Sequence, residues 1–245
     1  MPKPQVRVFK DLEDLSRGAA EEFVSLAGQT NRRETLFSAA LSGGSTPKRF
    51  YELLATREFS SQVFWPRVQL FQVDERCVAT DDARSNYKMI REALLDHASG
   101  IEFHRMAAEQ SDRDAASVSY AAALRAALRT GQGRWPRLDV IYLGMGEDGH
   151  TASLFPGTAA LIECERAVVP NYVAKFEMWR LTLTLPVLNA AAHVVFLVSG
   201  AEKAERLHQA LGAPAGAAPP LPSQLVSPEQ GTVAWYVDEA AAKLL

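Results

Sequence analysis

Short apolar runs that favour strands alternate with helical stretches along the whole chain, and this alternation constrains the fold most. Six apolar or β-branched runs predict strands, and they lie at 6–9, 35–41, 68–73, 138–143, 194–198 and 232–237. Alternating strands and helices are typical of a mostly parallel, Rossmann-like sheet with helices on both faces. We therefore expect residues 1–245 to form a single α/β domain.

Apolar residues at helical spacing fill the segments between these runs. Helices are predicted at 11–27, 46–56, 86–97, 115–129 and 202–211, and a short helix is expected after the last strand. Thr46 and Pro47 resemble an N-cap followed by proline at the first helical position. Residues 181–185 alternate threonine with leucine, which indicates a half-exposed strand. The Gly/Ala/Pro-rich stretch 212–222 predicts an irregular surface loop.

Composition excludes several classes of partner. The formal net charge of −3 gives no basic footprint for nucleic acid. No apolar run approaches the length of a membrane span, and no signal peptide is recognisable at the N-terminus. The two cysteines, Cys77 and Cys164, fit a reducing cytoplasm. No His/Cys/Asp cluster has the spacing of metal ligands, so we expect no metal.

The strand predicted at 138–143 runs directly into a glycine-rich loop that contains Asp148 and His150. Open α/β sheets bind ligands at the carboxyl ends of their strands. The spacing Gly144-x-Gly146-x-x-Gly149 matches a dinucleotide fingerprint, but Glu147 and Asp148 would place negative charges against the pyrophosphate. The loop is better interpreted as an Asp–His pair for proton transfer, with no nicotinamide cofactor. The alternative is a structural histidine.

A second glycine-containing loop precedes the helix predicted at 46–56. It consists of Ser42, Gly43, Gly44, Ser45 and Thr46, and it lacks the Gly-Lys-Ser/Thr ending of a Walker A loop. Its glycines allow a ligand to approach the backbone, and the helix N-terminus behind it favours an anion. The loop is thus a candidate site for one phosphate group, and the alternative is a tight turn with an N-cap.

Charged residues follow two further strands. Asp74 and Arg76 come directly after the strand predicted at 68–73, where a carboxylate suits a substrate hydroxyl and a guanidinium suits a phosphate. Lys203 begins a helix just after the strand at 194–198, within possible reach of the same phosphate. The alternatives are a solvated loop with a local ion pair and an ordinary surface lysine.

Several ordered motifs together resemble the 6-phosphogluconolactonase family over nearly the whole chain. They are LSGGSTPKRFYELL at 41–54, VDERCV at 73–78, SNYKMIREALL at 85–95, LGMGEDGHTASLFPGT at 143–158, RLTLTLPVLNAA at 180–191 and SGAEKA at 199–204. The resemblance implies an α/β sheet fold and hydrolysis of 6-phospho-D-glucono-1,5-lactone in the pentose phosphate pathway. It also implies that the substrate is a small sugar-phosphate lactone and that no metal or other cofactor is needed.

On this resemblance we expect His150 to activate water as a general base, with Asp148 orienting its ring. Residues 42–46, Arg76, Arg180 and Lys203 would hold the phosphate and position the lactone. One departure is the segment Lys175–Trp179 before Arg180, where the family usually has a Pro-rich run.

Two alternative functions are open. The related glucosamine-6-phosphate deaminases carry a glutamate before the proline of the Gly-His motif, and Phe155 occupies that place here, which argues against deamination. A non-catalytic sugar-phosphate sensor is the other alternative. Such sensors commonly carry a DNA-binding helix pair, for which we see no room before the first strand, and the Asp–His pair would have no use in one.

Overall fold

The computed structural model describes residues 4–32, 35–212 and 219–245. A seven-stranded sheet lies at its centre, with the strands in the order β1-β10-β9-β6-β2-β3-β5 and every neighbouring pair parallel. These strands are β1 (Gln5–Phe9), β2 (Phe37–Leu41), β3 (Val68–Gln72), β5 (Glu102–His104), β6 (Val140–Gly144), β9 (His193–Val198) and β10 (Thr232–Asp238). The predicted parallel α/β fold is confirmed.

A second, smaller sheet was not predicted. It is antiparallel, has the order β4-β8-β7, and consists of β4 (Asp74–Arg76), β7 (Val168–Val173) and β8 (Met178–Leu183). Its first strand begins two residues after β3 ends, so the segment expected to be a loop at 74–76 is paired with β8.

Helices cover both faces of the large sheet. The longer ones are α1 (Leu12–Arg32), α2 (Ser45–Ala55), α5 (Arg113–Ala127) and α7 (Ala204–Gly212), and the shorter ones are α3 (Arg57–Ser60), α4 (Asn86–Ile90) and α6 (Leu185–Leu188). A π-helical turn at Arg91–Leu95 continues α4. Single 3₁₀ turns occur at Trp65–Arg67, Ala159–Ile162, Ala174–Phe176, Ala201–Lys203 and Pro222–Leu225.

Two apolar cores, one on each face of the sheet, follow from the period-two alternation of strand side chains. In β6, Ile141 and Leu143 belong to the core that includes Leu124 of α5, whereas Tyr142 belongs to the core that includes Phe23 of α1 and Phe50 of α2. Among the described residues, no helix is long and apolar enough to cross a membrane.

Several local predictions were wrong. Gly44, and not Thr46, is the N-cap of α2, so Pro47 is the third helical residue; glycine fits because its φ is +112°. Residues 181–184 are all buried, because β8 packs between β4 and β7 against the core. Residues 239–244 form turns and not a helix.

The Gly/Ala/Pro-rich stretch at 212–222 lies mostly outside the described residues. Gly212 ends α7, residues 219–221 are irregular, and Pro222 opens a 3₁₀ turn.

Candidate active site

A pocket of about 230 Å³ lies at the carboxyl ends of four adjacent central strands, β9, β6, β2 and β3. Loops that follow these strands bring together residues that are far apart in the sequence. Every predicted substrate-binding residue lines the pocket together with His150, namely Ser42, Gly43, Gly44, Ser45, Thr46, Asp74, Arg76, Arg180 and Lys203. Asp148 lies directly behind His150.

The Asp148–His150 pair is formed within one tight loop after β6. Nδ1 of His150 lies 2.5 Å from Oδ1 of Asp148, and the backbone N–H of His150 donates to the same oxygen at 3.2 Å. With Nδ1 bound in this way, Nε2 is the ring nitrogen left to accept a proton. Burial raises the pKa of Asp148, but its hydrogen bonds to His150 outweigh this and hold the pKa well below its ordinary value. Asp148 is therefore an anion that orients the ring.

Gly146 allows the histidine ring to lie against the backbone. A Cβ at this position would stand 2.1 Å from Cε1 and Nδ1 of the His150 ring. The backbone N–H of Gly146 donates to the carbonyl of His150 at 2.9 Å, which closes the loop. Gly146 thus makes room for the histidine ring within this loop.

Phe155 packs against the other side of the histidine. Its ring is stacked on the His150 ring at a centroid distance of 3.9 Å. Phe155 is buried, so the position that carries a glutamate in the deaminase motif here supplies an apolar wall. The sequence identified this position but not its contact with His150.

Two arginines lie side by side on neighbouring strands of the small sheet, because Arg76 of β4 pairs in register with Arg180 of β8. Arg180 is buried, and Asp74 lies 4.0 Å from its guanidinium. Burial lowers the pKa of Arg180, which Asp74 opposes and Arg76 reinforces. In the described ranges no ion pair is formed by Arg76. The pair therefore leaves unneutralised positive charge in the pocket, which suits an anion.

Asp74 is held by polar side chains that the sequence did not reveal. Ser153 donates to its carboxylate at 2.6 Å, and Asn86 donates to its carboxylate and to its backbone carbonyl. The Asn86 side chain fills the space beside Gly43, where a Cβ would stand 1.8 Å from its Oδ1. Gly43 is thus required by this contact.

Behind the pocket's glycine loop, Glu75 anchors the start of α4. Its buried carboxylate accepts the backbone N–H groups of Asn86 at 2.7 Å and Tyr87 at 2.6 Å. Burial raises the pKa of Glu75, and the hydrogen bonds to the carboxylate oppose this rise. Glu75 is a structural residue, in contrast to its neighbours Asp74 and Arg76.

The 42–46 loop meets the pocket at the N-terminus of α2. Gly44 is the N-cap residue of α2 and has no side chain that could accept a hydrogen bond. The first backbone N–H groups of the helix therefore have no N-cap side chain to donate to. The hydroxyl of Ser42 donates to the carbonyl of Tyr142 at 2.6 Å, which ties β2 to β6. That proton is used within the protein, so the backbone and the next two hydroxyls are the donors left for a ligand.

Lys203 approaches from the side of β9, on the 3₁₀ turn that precedes α7. Its ammonium lies 4.0 Å from the carboxylate of Glu147.

The pocket is also lined by residues that were not identified from the sequence, namely Ser199, Met145 and Ala152. In the described ranges, no group of three or more His, Cys, Asp or Glu side chains could hold a metal ion.

The site therefore combines a proton-transfer pair with a cationic pocket at the carboxyl edge of a parallel sheet, a combination suited to acid–base chemistry on an anionic small molecule. Residues 10–235 match the family model described as glucosamine-6-phosphate isomerases/6-phosphogluconolactonase, and the chain belongs to this family.

Individual relatives agree with this assignment. The 6-phosphogluconolactonase of Nostoc sp. is 34% identical over 98% of this chain and 97% of its own length. That of Synechocystis sp. is 38% identical over 84% of this chain and 83% of its own. The solved structure of 6-phosphogluconolactonase from Trypanosoma cruzi is 30% identical and covers 99% of this chain and 97% of its own, with a TM-score of 0.87.

Proposed function

We propose that this chain hydrolyses 6-phospho-D-glucono-1,5-lactone to 6-phospho-D-gluconate, a step of the oxidative pentose phosphate pathway. The observation that carries the proposal is the Asp148–His150 pair in one pocket with Arg76 and Arg180. The names of the relatives support the same substrate. We further propose that it acts in the cytoplasm, needs no cofactor and has no nucleic-acid partner.

A δ-lactone is an activated ester, so hydrolysis needs a positioned water and a base but no covalent nucleophile. Nε2 of His150 takes a proton from water as the oxygen attacks the lactone carbonyl. The tetrahedral intermediate then collapses as the ring C–O bond breaks, and the protonated histidine returns the proton to the leaving oxygen. The anionic Asp148 stabilises the imidazolium between these two transfers.

The phosphate positions the substrate for this chemistry. Arg76 and Arg180 offer planar guanidinium groups, and the N-terminus of α2 with Ser45 and Thr46 offers backbone and hydroxyl donors. Lys203 adds a cation from the opposite wall. Binding energy at the phosphate thereby holds the lactone carbonyl beside His150.

A deaminase would need a second proton-transfer group to open the sugar ring and move protons between carbons. Phe155 offers none, because its side chain has no ionisable group, and its ring is stacked on His150. A sensor domain would bind the sugar phosphate without turning it over, and the Asp148–His150 pair would then have no role.

A coupled assay that measures 6-phosphogluconate release from freshly generated lactone, corrected for spontaneous hydrolysis, tests the proposal. We expect turnover far above the blank and no ammonia from glucosamine-6-phosphate. Ammonia release at a comparable rate would make the chain a deaminase. Saturable binding of sugar phosphate without turnover would make it a sensor.

A further inference from the structure

The turn between β7 and β8 reaches the catalytic pair from a different part of the chain. Nζ of Lys175, in this turn, lies 3.3 Å from Oδ2 of Asp148. The other carboxylate oxygen, Oδ1, is bound to His150. The two oxygens of one carboxylate are thus held from opposite sides, by His150 and by Lys175.

The turn is itself anchored to the ring that packs on His150. The Phe176 ring meets Phe155 edge to face at a centroid distance of 5.9 Å. The Arg180 guanidinium lies 5.0 Å from the Phe176 ring centroid and 5.3 Å from that of Phe155. Aromatic and cation–π contacts of this kind fix geometry in addition to burying area. The turn therefore has a defined position relative to His150.

The stability of the fold does not explain why Lys175 pairs with Asp148. The Lys175 side chain is 58% exposed, and exposed pairs contribute little to the free energy of folding. Geometry is the better explanation, because Oδ2 of Asp148 has no other hydrogen-bond donor among the described residues. Without Lys175 only the two contacts of Oδ1 with His150 restrain rotation of the carboxylate about its Cβ–Cγ bond, so the bond to Nδ1 would be less firmly directed.

We propose that Lys175 is a positioning residue that fixes the rotation of Asp148 and, through it, the ring of His150. This inference rests on the proposed function, since it assigns Lys175 a part in water activation by His150. It also gives a role to the segment 175–179, whose sequence departs from the Pro-rich run of the family.

Steady-state kinetics on the phosphogluconolactone separate positioning from substrate binding. Lys175→Met should lower kcat by about five- to twentyfold, which is about 1–2 kcal/mol, and leave KM within about twofold. Lys175→Arg should restore most of kcat because its guanidinium can reach the same oxygen. Lys10→Met, at an exposed lysine remote from the pocket lining, is the matched control and should match the unsubstituted enzyme.

A double-mutant cycle then identifies the route of the effect. In an Asp148→Asn background, Lys175→Met should cause no further loss, since the carboxylate on which it acts is gone. Multiplicative losses would overturn the proposal. A wild-type kcat in Lys175→Met would also overturn it. A raised KM with unchanged kcat in this variant would do the same, because it would make Lys175 a substrate ligand.

A substrate-free measurement keeps this inference distinct from the proposed function. In NMR spectra of the ¹⁵N-labelled protein, the proton of the His150 Nδ1–Asp148 bond should give a resonance that His150→Ala removes. Lys175→Met should broaden or shift this resonance, whereas Lys10→Met should not. An unchanged resonance in Lys175→Met would refute the positioning role even if the unsubstituted protein failed to hydrolyse the lactone.

Discussion

His150 is positioned by neighbours of three kinds: a carboxylate that binds Nδ1, an aromatic ring that stacks on one face, and a glycine that leaves room for the ring. Only the first was predicted from the sequence, because Asp148 lies two residues before His150 in the same loop. Phe155 was identified as a departure from the deaminase motif, but its contact with the ring depends on how the loop turns back after residue 150.

Removal of the His150 side chain tests its assignment as the general base. His150→Ala should lower kcat by about a hundredfold or more, because general-base catalysis contributes roughly 10²–10⁴ in rate. His208→Ala, at an exposed position on α7, provides the matched control. The measurement is kcat on the phosphogluconolactone with circular dichroism to verify folding. A folded His150→Ala protein with near-normal turnover would rule out this assignment.

Truncation of Arg76 tests whether the phosphate is the main handle for affinity. Arg76→Ala should reduce kcat/KM on the phosphorylated lactone, since a charged hydrogen-bond partner is lost. The reduction should correspond to a loss of about 2–4 kcal/mol of transition-state stabilisation. It should change kcat/KM on unphosphorylated gluconolactone much less. Arg57→Ala, at an exposed arginine of α3 outside the pocket lining, is the control. Equal losses on both lactones would show that Arg76 does not bind the phosphate.

At the scale of elements, strong hydrophobic periodicity predicted six strands of the central sheet and its long helices. The strands that it missed are short or interrupted by polar residues. Asp74–Arg76 looks like a loop because all its residues are charged, and its pairing with β8 depends on a partner more than 100 residues away. Edge strand β5 has only three residues, and their pattern is too short to indicate a strand.

The residues of the site, like the strands, could be predicted only in part from the sequence. Loops at the carboxyl ends of parallel strands meet at one edge, so the sequence could bring together the residues after β2, β3, β6 and β9. The contacts of Lys175 with Asp148 and of Asn86 with Gly43 could not be anticipated, since they depend on a turn and a helix whose positions are set by tertiary packing.

Two glycines in α1 provide an internal comparison of helix propensity with steric room. Gly28→Ala should raise the free energy of unfolding by about 0.5–1 kcal/mol, because glycine is a poor helix former and only the end of Arg32 lies near the new methyl group. Gly18→Ala should gain less or lose stability, since its Cβ would stand 2.5 Å from the Phe9 ring. Urea denaturation measures both. A larger gain at Gly18 would contradict the close contact between Gly18 of α1 and the Phe9 ring of β1.

At the scale of the whole molecule, two apolar cores lie on opposite faces of one sheet, and the ionisable site lies at the carboxyl ends of its central strands. Successive residues of a strand pack into opposite cores, so the sheet is covered on both faces, and the described pocket lies among the loops at the carboxyl ends of the strands. The site is therefore built from loops held by a rigid scaffold, a common division of labour in enzymes.

Exhaustive dialysis against EDTA tests whether the enzyme depends on a metal. Because the described residues contain no cluster of three metal-ligating side chains and the lactone needs only water and a base, we expect kcat/KM to be unchanged. The assay is repeated after adding back Zn²⁺ or Mg²⁺, with an untreated sample as control. Activity lost on dialysis and regained with either ion would show that a metal takes part.

The pairing of β1 with β10 affects the order in which the sheet can form during synthesis. Residues 5–9 hydrogen-bond in register with residues 234–238, so the first strand made must wait for the last. During synthesis on a ribosome, β1 therefore has no partner strand until residues 234–238 have emerged. Completion of the sheet is therefore a late event in the folding of this chain.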